Sequence, residues 1–169
     1  MKNEFFIPYS DIQFKTISQL VELVIDAQKI KLKDLKLGDL LFNKSSLTGI
    51  YFFVNENDEI VYVGKSGSRS ILERIASHLD FRANGMFNNF IRMVAKKKGL
   101  ERTDENLRII FDEIMEHKFL FIEFPSWGNE KFIINKLEAT LCHEFSGQIL
   151  NSLGRKTKLD GQILISEII

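Results

Sequence analysis

A single cysteine, Cys142, stands in the 169 residues, so no disulfide can close within the chain and a cysteine-rich zinc site is excluded by count. Its setting in an apolar helical pattern marks it as a core thiol. Proline is almost as scarce, with Pro8 and Pro125 alone, and no repeat, low-complexity tract or Gly/Ser linker interrupts the sequence, which reads as one compact domain. No apolar run approaches the roughly 20 residues of a membrane span, and residues 1–8 lack the charged-then-apolar layout of a secretory signal, so a cytoplasmic protein with no membrane partner is expected. A surplus of charge is also missing, since 23 basic residues balance 23 acidic ones. Bulk charge therefore gives no sign of a polyanion binder. The basic residues are nevertheless clustered: Lys29, Lys31, Lys33 and Lys36; Lys96, Lys97, Lys98 and Arg102; and Arg155, Lys156 and Lys158. Each cluster reads either as a local nucleic-acid face or as solvated surface.

Forty-four per cent of the residues are apolar, ample for a buried core. Ile17, Leu20, Val21, Val24 and Ile25 recur at helical spacing and predict an amphipathic helix within residues 16–29. From Thr48 to Val54 and from Glu59 to Gly64 the residues are β-branched or aromatic, and Asn55 to Asp58 between them are turn formers, which predicts a β-hairpin. Ser70 followed by Glu73 has capping-box spacing, and Ile71, Leu72, Ile75, Ala76 and Leu79 continue as an apolar helical stripe. Two more helices are expected around Phe87–Val94 and Leu107–Met115, the latter capped near Thr103. Lys118 to Phe124 (KFLFIEF) reads as a third strand, and Ile133, Ile134, Leu137, Leu141 and Cys142 as a helix that Asn129 can cap. Residues 162–169 suit a short edge strand or a terminal helix. The predicted class is α+β, a small three-stranded antiparallel sheet flanked by helices, with an N-terminal helical extension over 1–47, a core over 48–154 carrying an inserted helical segment at 81–118, and a tail over 155–169.

The chemistry-bearing residues gather in and after the hairpin: Gly49, Ile50 and Tyr51 on its first strand, Tyr62, Val63 and Gly64 on its second, then Lys65, Arg74, His78, Glu138 and Asn151. In these residues the chain resembles the GIY-YIG nuclease family. The two name motifs stand as GIY and YVG, with Val63 replacing the usual isoleucine; Arg74 and His78 stand where the family places an Arg and a following His or Tyr. Glu138 in KLEATL matches the family's metal-binding glutamate, and Asn151 in ILNSLG the asparagine that closes its pattern. The resemblance covers about Thr48 to Asn151, and it implies a nuclease acting on DNA with Mg²⁺ or Mn²⁺.

Phosphodiester hydrolysis needs an activated water, neutralisation of charge on the phosphoryl oxygens and help for the departing oxygen. A single carboxylate such as Glu138 suffices for Mg²⁺, which keeps most of its waters. Arg74 offers a planar fork matched to phosphate, and His78, one turn on, shares its helix face. The resemblance implies Tyr51 as general base. An unperturbed phenol, with a pKa of about 10, is a poor one at neutral pH, so a neighbouring positive charge is expected, from Lys65 or the imidazole of His78. Tyr62 would orient the nucleophile or phosphate, and Gly49 and Gly64 would allow close backbone approach at the groove. His117 and His143 show no spacing for a metal pair.

A free-standing chain of this size resembles the restriction-type members of the family, since the repair and intron-homing members usually carry separate DNA-binding domains and none is visible beside the module. The resemblance therefore implies a restriction-type endonuclease. Lys96, Lys97, Lys98, Arg102, Arg155 and Lys156 would grip phosphates, and a homodimer would let one-metal sites cut both strands. The alternative is a catalytically idle module of the same fold that binds nucleic acid or a protein partner.

Overall fold

A computed structural model describes residues 5–41, 48–82, 89–125, 130–147, 149–150 and 158–168. The chain runs through strand β1 (Phe6–Pro8), helix α1 (Ile17–Asp26), strand β2 (Ile30–Lys31), helix α2 (Leu37–Leu41), strands β3 (Thr48–Val54) and β4 (Ile60–Ser66), helices α3 (Ile71–His78), α4 (Asn89–Lys98) and α5 (Asp104–Glu116), strand β5 (Lys118–Phe124) and helix α6 (Glu130–Glu144). Short 3₁₀ turns fill Tyr9–Asp11, Leu32–Asp34 and Ile165–Glu167.

The expected antiparallel triad is present in the order β5-β3-β4, but among the described residues the sheet has five strands rather than three. β1 pairs with β5 in parallel, Phe6 beside Phe121, and β2 pairs antiparallel with the same edge of β5, Ile30 beside Phe119. The N-terminal residues thus supply sheet as well as helix. Both added strands are too short to show a period of two, and β1 ends at a proline, which is tolerated at an edge.

Both faces of the sheet are covered, which is why TGIYFFV and KFLFIEF read as nearly unbroken apolar runs. On one face Ile50, Phe52, Leu120 and Ile122 pack with Ile17, Leu20 and Val24 of α1 and with Ile134, Leu137 and Leu141 of α6. On the other, Tyr51, Phe53, Tyr62 and Phe119 pack with Ile71 and Ile75 of α3, Phe90 and Val94 of α4 and Ile110 and Ile114 of α5. Each fully buried aliphatic or Phe side chain contributes about 1.5–3 kcal/mol. Among the described C-terminal residues, 158–168, there is neither a strand nor an α-helix: Leu164 bridges to Thr16, and Ile165 and Ile168 are buried in the α1 side of the core.

Candidate active site

Cross-strand partners share a face of a sheet, so the register between β3 and β4 decides where each tyrosine points. Gly49 to Phe53 pair with Ser66 to Tyr62, but Val54 pairs with Ile60, so Val61 is an extra residue bulged from the ladder. Without that bulge Tyr62 would lie opposite Phe52, on the α6 face. With it, Tyr62 lies opposite Phe53 and joins Tyr51 under α3. The two phenol rings stack at 6.0 Å with 22° between planes.

Gly64 sits opposite Tyr51, and a Cβ there would fall 2.5 Å from the Tyr51 hydroxyl and 2.8 Å from the Tyr62 ring. The missing side chain is the space into which Tyr51 leans across β4, toward the sheet edge. Gly49 serves a different approach: a Cβ there would fall 1.9 Å from the carbonyl oxygen of Ile122 on β5, so this glycine brings β3 and β5 together and does not open a groove.

Helix α3 carries the next two groups. The Ser70 hydroxyl accepts from the Glu73 amide and the Glu73 carboxylate accepts from the Ser70 amide, the two halves of a capping box that fix the helix just behind β4. One turn apart, Arg74 and His78 then face the tyrosines. Nε2 of His78 lies 2.6 Å from the Tyr51 hydroxyl, and Tyr51 is in turn hydrogen-bonded to Tyr62, giving the row Tyr62–Tyr51–His78. The row is nearly dry, with Tyr51 1% and His78 3% exposed and Tyr62, the outermost phenol, 9%.

That burial sets the protonation states. Desolvation pushes the Tyr51 phenol well above its ordinary pKa, Tyr62 adds to the effect, and the positive charge of Arg74 opposes it without prevailing. Tyr62 is raised as well, chiefly by burial and also by the Glu138 carboxylate. His78 is lowered to about 4, first by burial and then by the charges of Arg74 and Arg69. At neutral pH the row is therefore two phenols and a neutral imidazole. The positive neighbour expected to produce a phenolate at Tyr51 is not supplied by His78. Nor is it supplied by Lys65, which points to the α6 side and places Nζ 2.7 Å from Oε2 of Glu138.

Two polar atoms in this cluster are buried without a hydrogen-bond partner among the described residues: Nε of Arg74 and Nδ1 of His78. A desolvated guanidinium donor with no acceptor is costly to hold, and an oxyanion entering from the β4 edge would satisfy it. Glu138 lies on α6, the helix across the sheet, yet its charge is felt by both phenols, so it borders the same edge from the other side. Its side chain is 13% exposed.

Other expected site residues separate. Asn151, Arg155 and Lys156 lie outside the described residues. Leu150, immediately before Asn151, donates its amide to the Val61 carbonyl at 2.7 Å, which seals that end of β4. The lysine cluster divides in three: Lys98 pairs with Glu113, Lys97 lines a cavity toward β4, and Lys96 shares a shallower basic hollow with Arg92 and Arg102. Arg92 carries no periodic or motif signal, and only its helical spacing of four from Lys96 could have pointed to it. Among the described residues no group of three His, Cys, Asp or Glu gathers as a metal cage, and no helix is long and apolar enough to cross a membrane.

Comparison with curated proteins and with solved structures found no match. The family model of the GIY-YIG catalytic domain matches residues 47–141, more than half of the chain. That stretch contains both tyrosines, the glycine that admits Tyr51, the Arg74–His78 pair and Glu138, and with these residues drawn to one sheet edge the chain belongs to the GIY-YIG nuclease family.

Proposed function

We propose that the protein is a divalent-metal-dependent endonuclease that hydrolyses phosphodiester bonds in DNA at the β4 edge. The observation that carries this reading is the buried, unpartnered Nε of Arg74 beside the Tyr62–Tyr51–His78 row. In this reading the scissile phosphate docks on the Arg74 guanidinium. Its negative charge offsets part of the field that depresses His78, and Nε2 becomes a better proton acceptor when substrate is present. A water in the cleft gives its proton to the phenol row, the row passes a proton to Nε2, and the resulting hydroxide attacks phosphorus while the 3′-side or 5′-side oxygen departs. Tyr62, the outer phenol, orients the water or phosphate.

GIY-YIG nucleases generally use divalent metal ions. One carboxylate at the cleft margin, without a wider cage among the described residues, suits a cation that retains most of its own water, and Glu138 is the residue that would hold Mg²⁺ or Mn²⁺. When bound, the ion would neutralise charge on the phosphoryl oxygens and stabilise the departing oxygen. Lys65, which donates a hydrogen bond to Glu138, holds that carboxylate in place.

The outer face of α4 is the proposed phosphate-gripping surface, through Arg92, Lys96 and Arg102. A restriction-type role and a homodimer that cuts both strands belong to the same proposal. A second reading, an idle binding module, draws on the Lys65 ammonium that already occupies one oxygen of Glu138. Incubation of plasmid DNA with Mg²⁺ or Mn²⁺ separates them. The enzyme cuts, EDTA stops it and Glu138→Gln removes the activity; binding with no cleavage under either metal selects the idle module.

A further inference from the structure

A cavity of about 550 Å³ opens between β4, the C-terminal half of α4 and the end of α5, and it is not used by the hydrolytic cluster. Its volume is in the range of small-ligand sites, roughly 300–1,000 Å³. The apolar lining is Val61, Val94 and Leu150. Val61 is the bulged residue next to Tyr62, so the cavity adjoins the proposed cleft along β4. His117 lies beyond Phe90, with ring centroids 5.5 Å apart, and Phe90 is in turn 5.5 Å from Tyr62.

Most of the charged lining is already neutralised: Lys98 by Glu113, and Glu116 by Lys31 and Lys33. The Asn55 amide is likewise spent on Glu59 and the hairpin turn. Three groups remain without a hydrogen bond or ion pair among the described residues: the ammonium of Lys97, the carboxylate of Glu56 and Nε2 of His117. Nδ1–H of His117 donates to the Glu113 carbonyl at 3.1 Å, so in the neutral ring Nε2 is a bare acceptor. Burial holds this imidazole below its ordinary pKa, which keeps it neutral.

One donor and two acceptors around an apolar floor complement a flat group that presents both donors and acceptors on its edge. A phosphate would meet the Glu56 charge and leave the His117 acceptor unused. We propose that this cavity receives one nucleobase of the substrate, from a nucleotide adjoining the scissile phosphate, drawn out of its stack. This rests on the nuclease reading above and adds that the substrate is one whose base can be unstacked: single-stranded, branched, or opened at that position.

The test uses the full chain in EDTA, so that binding is read without cleavage, with single-stranded and duplex oligonucleotides carrying 2-aminopurine or an abasic site at each position in turn. The expected result is a rise in 2-aminopurine fluorescence at one position, and binding weakened about tenfold by an abasic site there, the size of one base's stacking contribution. Lys97→Ala and His117→Phe should remove that position dependence. His117→Phe alters a buried residue, so if its circular dichroism shows unfolding, the exposed Lys97→Ala variant decides. Binding that is equal at every position overturns the base pocket and leaves the nuclease reading standing. Failure to bind any oligonucleotide, together with no cleavage under Mg²⁺ or Mn²⁺, overturns both.

Discussion

The Tyr51 hydroxyl and Nε2 of His78 are 2.6 Å apart across the space between β3 and α3, and each is the other's buried polar partner. Tyr51→Phe keeps the ring and deletes the bond. It leaves Nε2 of His78 desolvated and unsatisfied, which costs about 1–3 kcal/mol of stability. It also breaks the proton row, and single-turnover cleavage should fall by about a hundredfold or more. Thermal unfolding and a cleavage time course read the two effects separately; a variant that cuts at the wild-type rate removes Tyr51 from the mechanism.

Gly64 and Gly67 give a matched pair of substitutions. A Cβ at Gly64 would lie 2.4 Å from Cζ of Tyr51, whereas nothing stands within 4 Å of one at Gly67. Gly64→Ala should displace the phenol, lower stability by about 1–3 kcal/mol and suppress cleavage, as overpacking of a tight site does. Gly67→Ala should change neither by a measurable amount. Equal behaviour of the two variants in denaturant titration would refute the close approach.

His78 makes stability depend on pH in a defined window. Its pKa is about 4 in the fold against an ordinary 6.5, so between those values the unfolded chain binds the extra proton. The contribution is fully present above pH 6.5 and is lost as pH falls from 6.5 toward 4, amounting to about 3 kcal/mol at most. In His78→Phe the acid limb over that interval should flatten, although the Tyr51 hydroxyl loses a partner and the plateau lies lower. Urea titrations at a series of pH values measure the slope.

Arg92 and Lys96, four residues apart on the exposed side of α4, form no ion pair among the described residues and line a hollow without a carboxylate. If each meets one DNA phosphate, replacing both by Ala lowers the slope of log affinity against log salt by about 1.8. The rate at saturating DNA should be unchanged, because neither group lies at the phenol row. A slope identical to wild type places the DNA elsewhere.

Local signals in the sequence translated well into structure. The turn formers at Asn55–Asp58 do connect the hairpin, with Asp58 in the left-handed conformation that Asp tolerates, the Ser70–Glu73 capping box closes in both directions, and KFLFIEF is β5 from end to end. The residues that were harder to place depend on partners far along the chain. β1 is three residues whose only strand signal is pairing with β5, and the bulge at Val61 that turns Tyr62 toward Tyr51 leaves no mark in YVG itself. Lys65 was legible as a cation after the strand, but the parity of β4 sends it to Glu138 instead of Tyr51.

The pairing of Phe6 with Phe121 also bears on how the molecule reaches its folded state. β1 is synthesised long before β5, and it can find its hydrogen-bonding partner only after helices α1 to α5, the hairpin and the third long strand have emerged. Contacts of such sequence separation slow folding. During that interval Phe5, Phe6 and Ile7 are exposed apolar residues awaiting a surface, so charge placed at this segment should change the yield of soluble protein during synthesis more than it changes the stability of the finished fold.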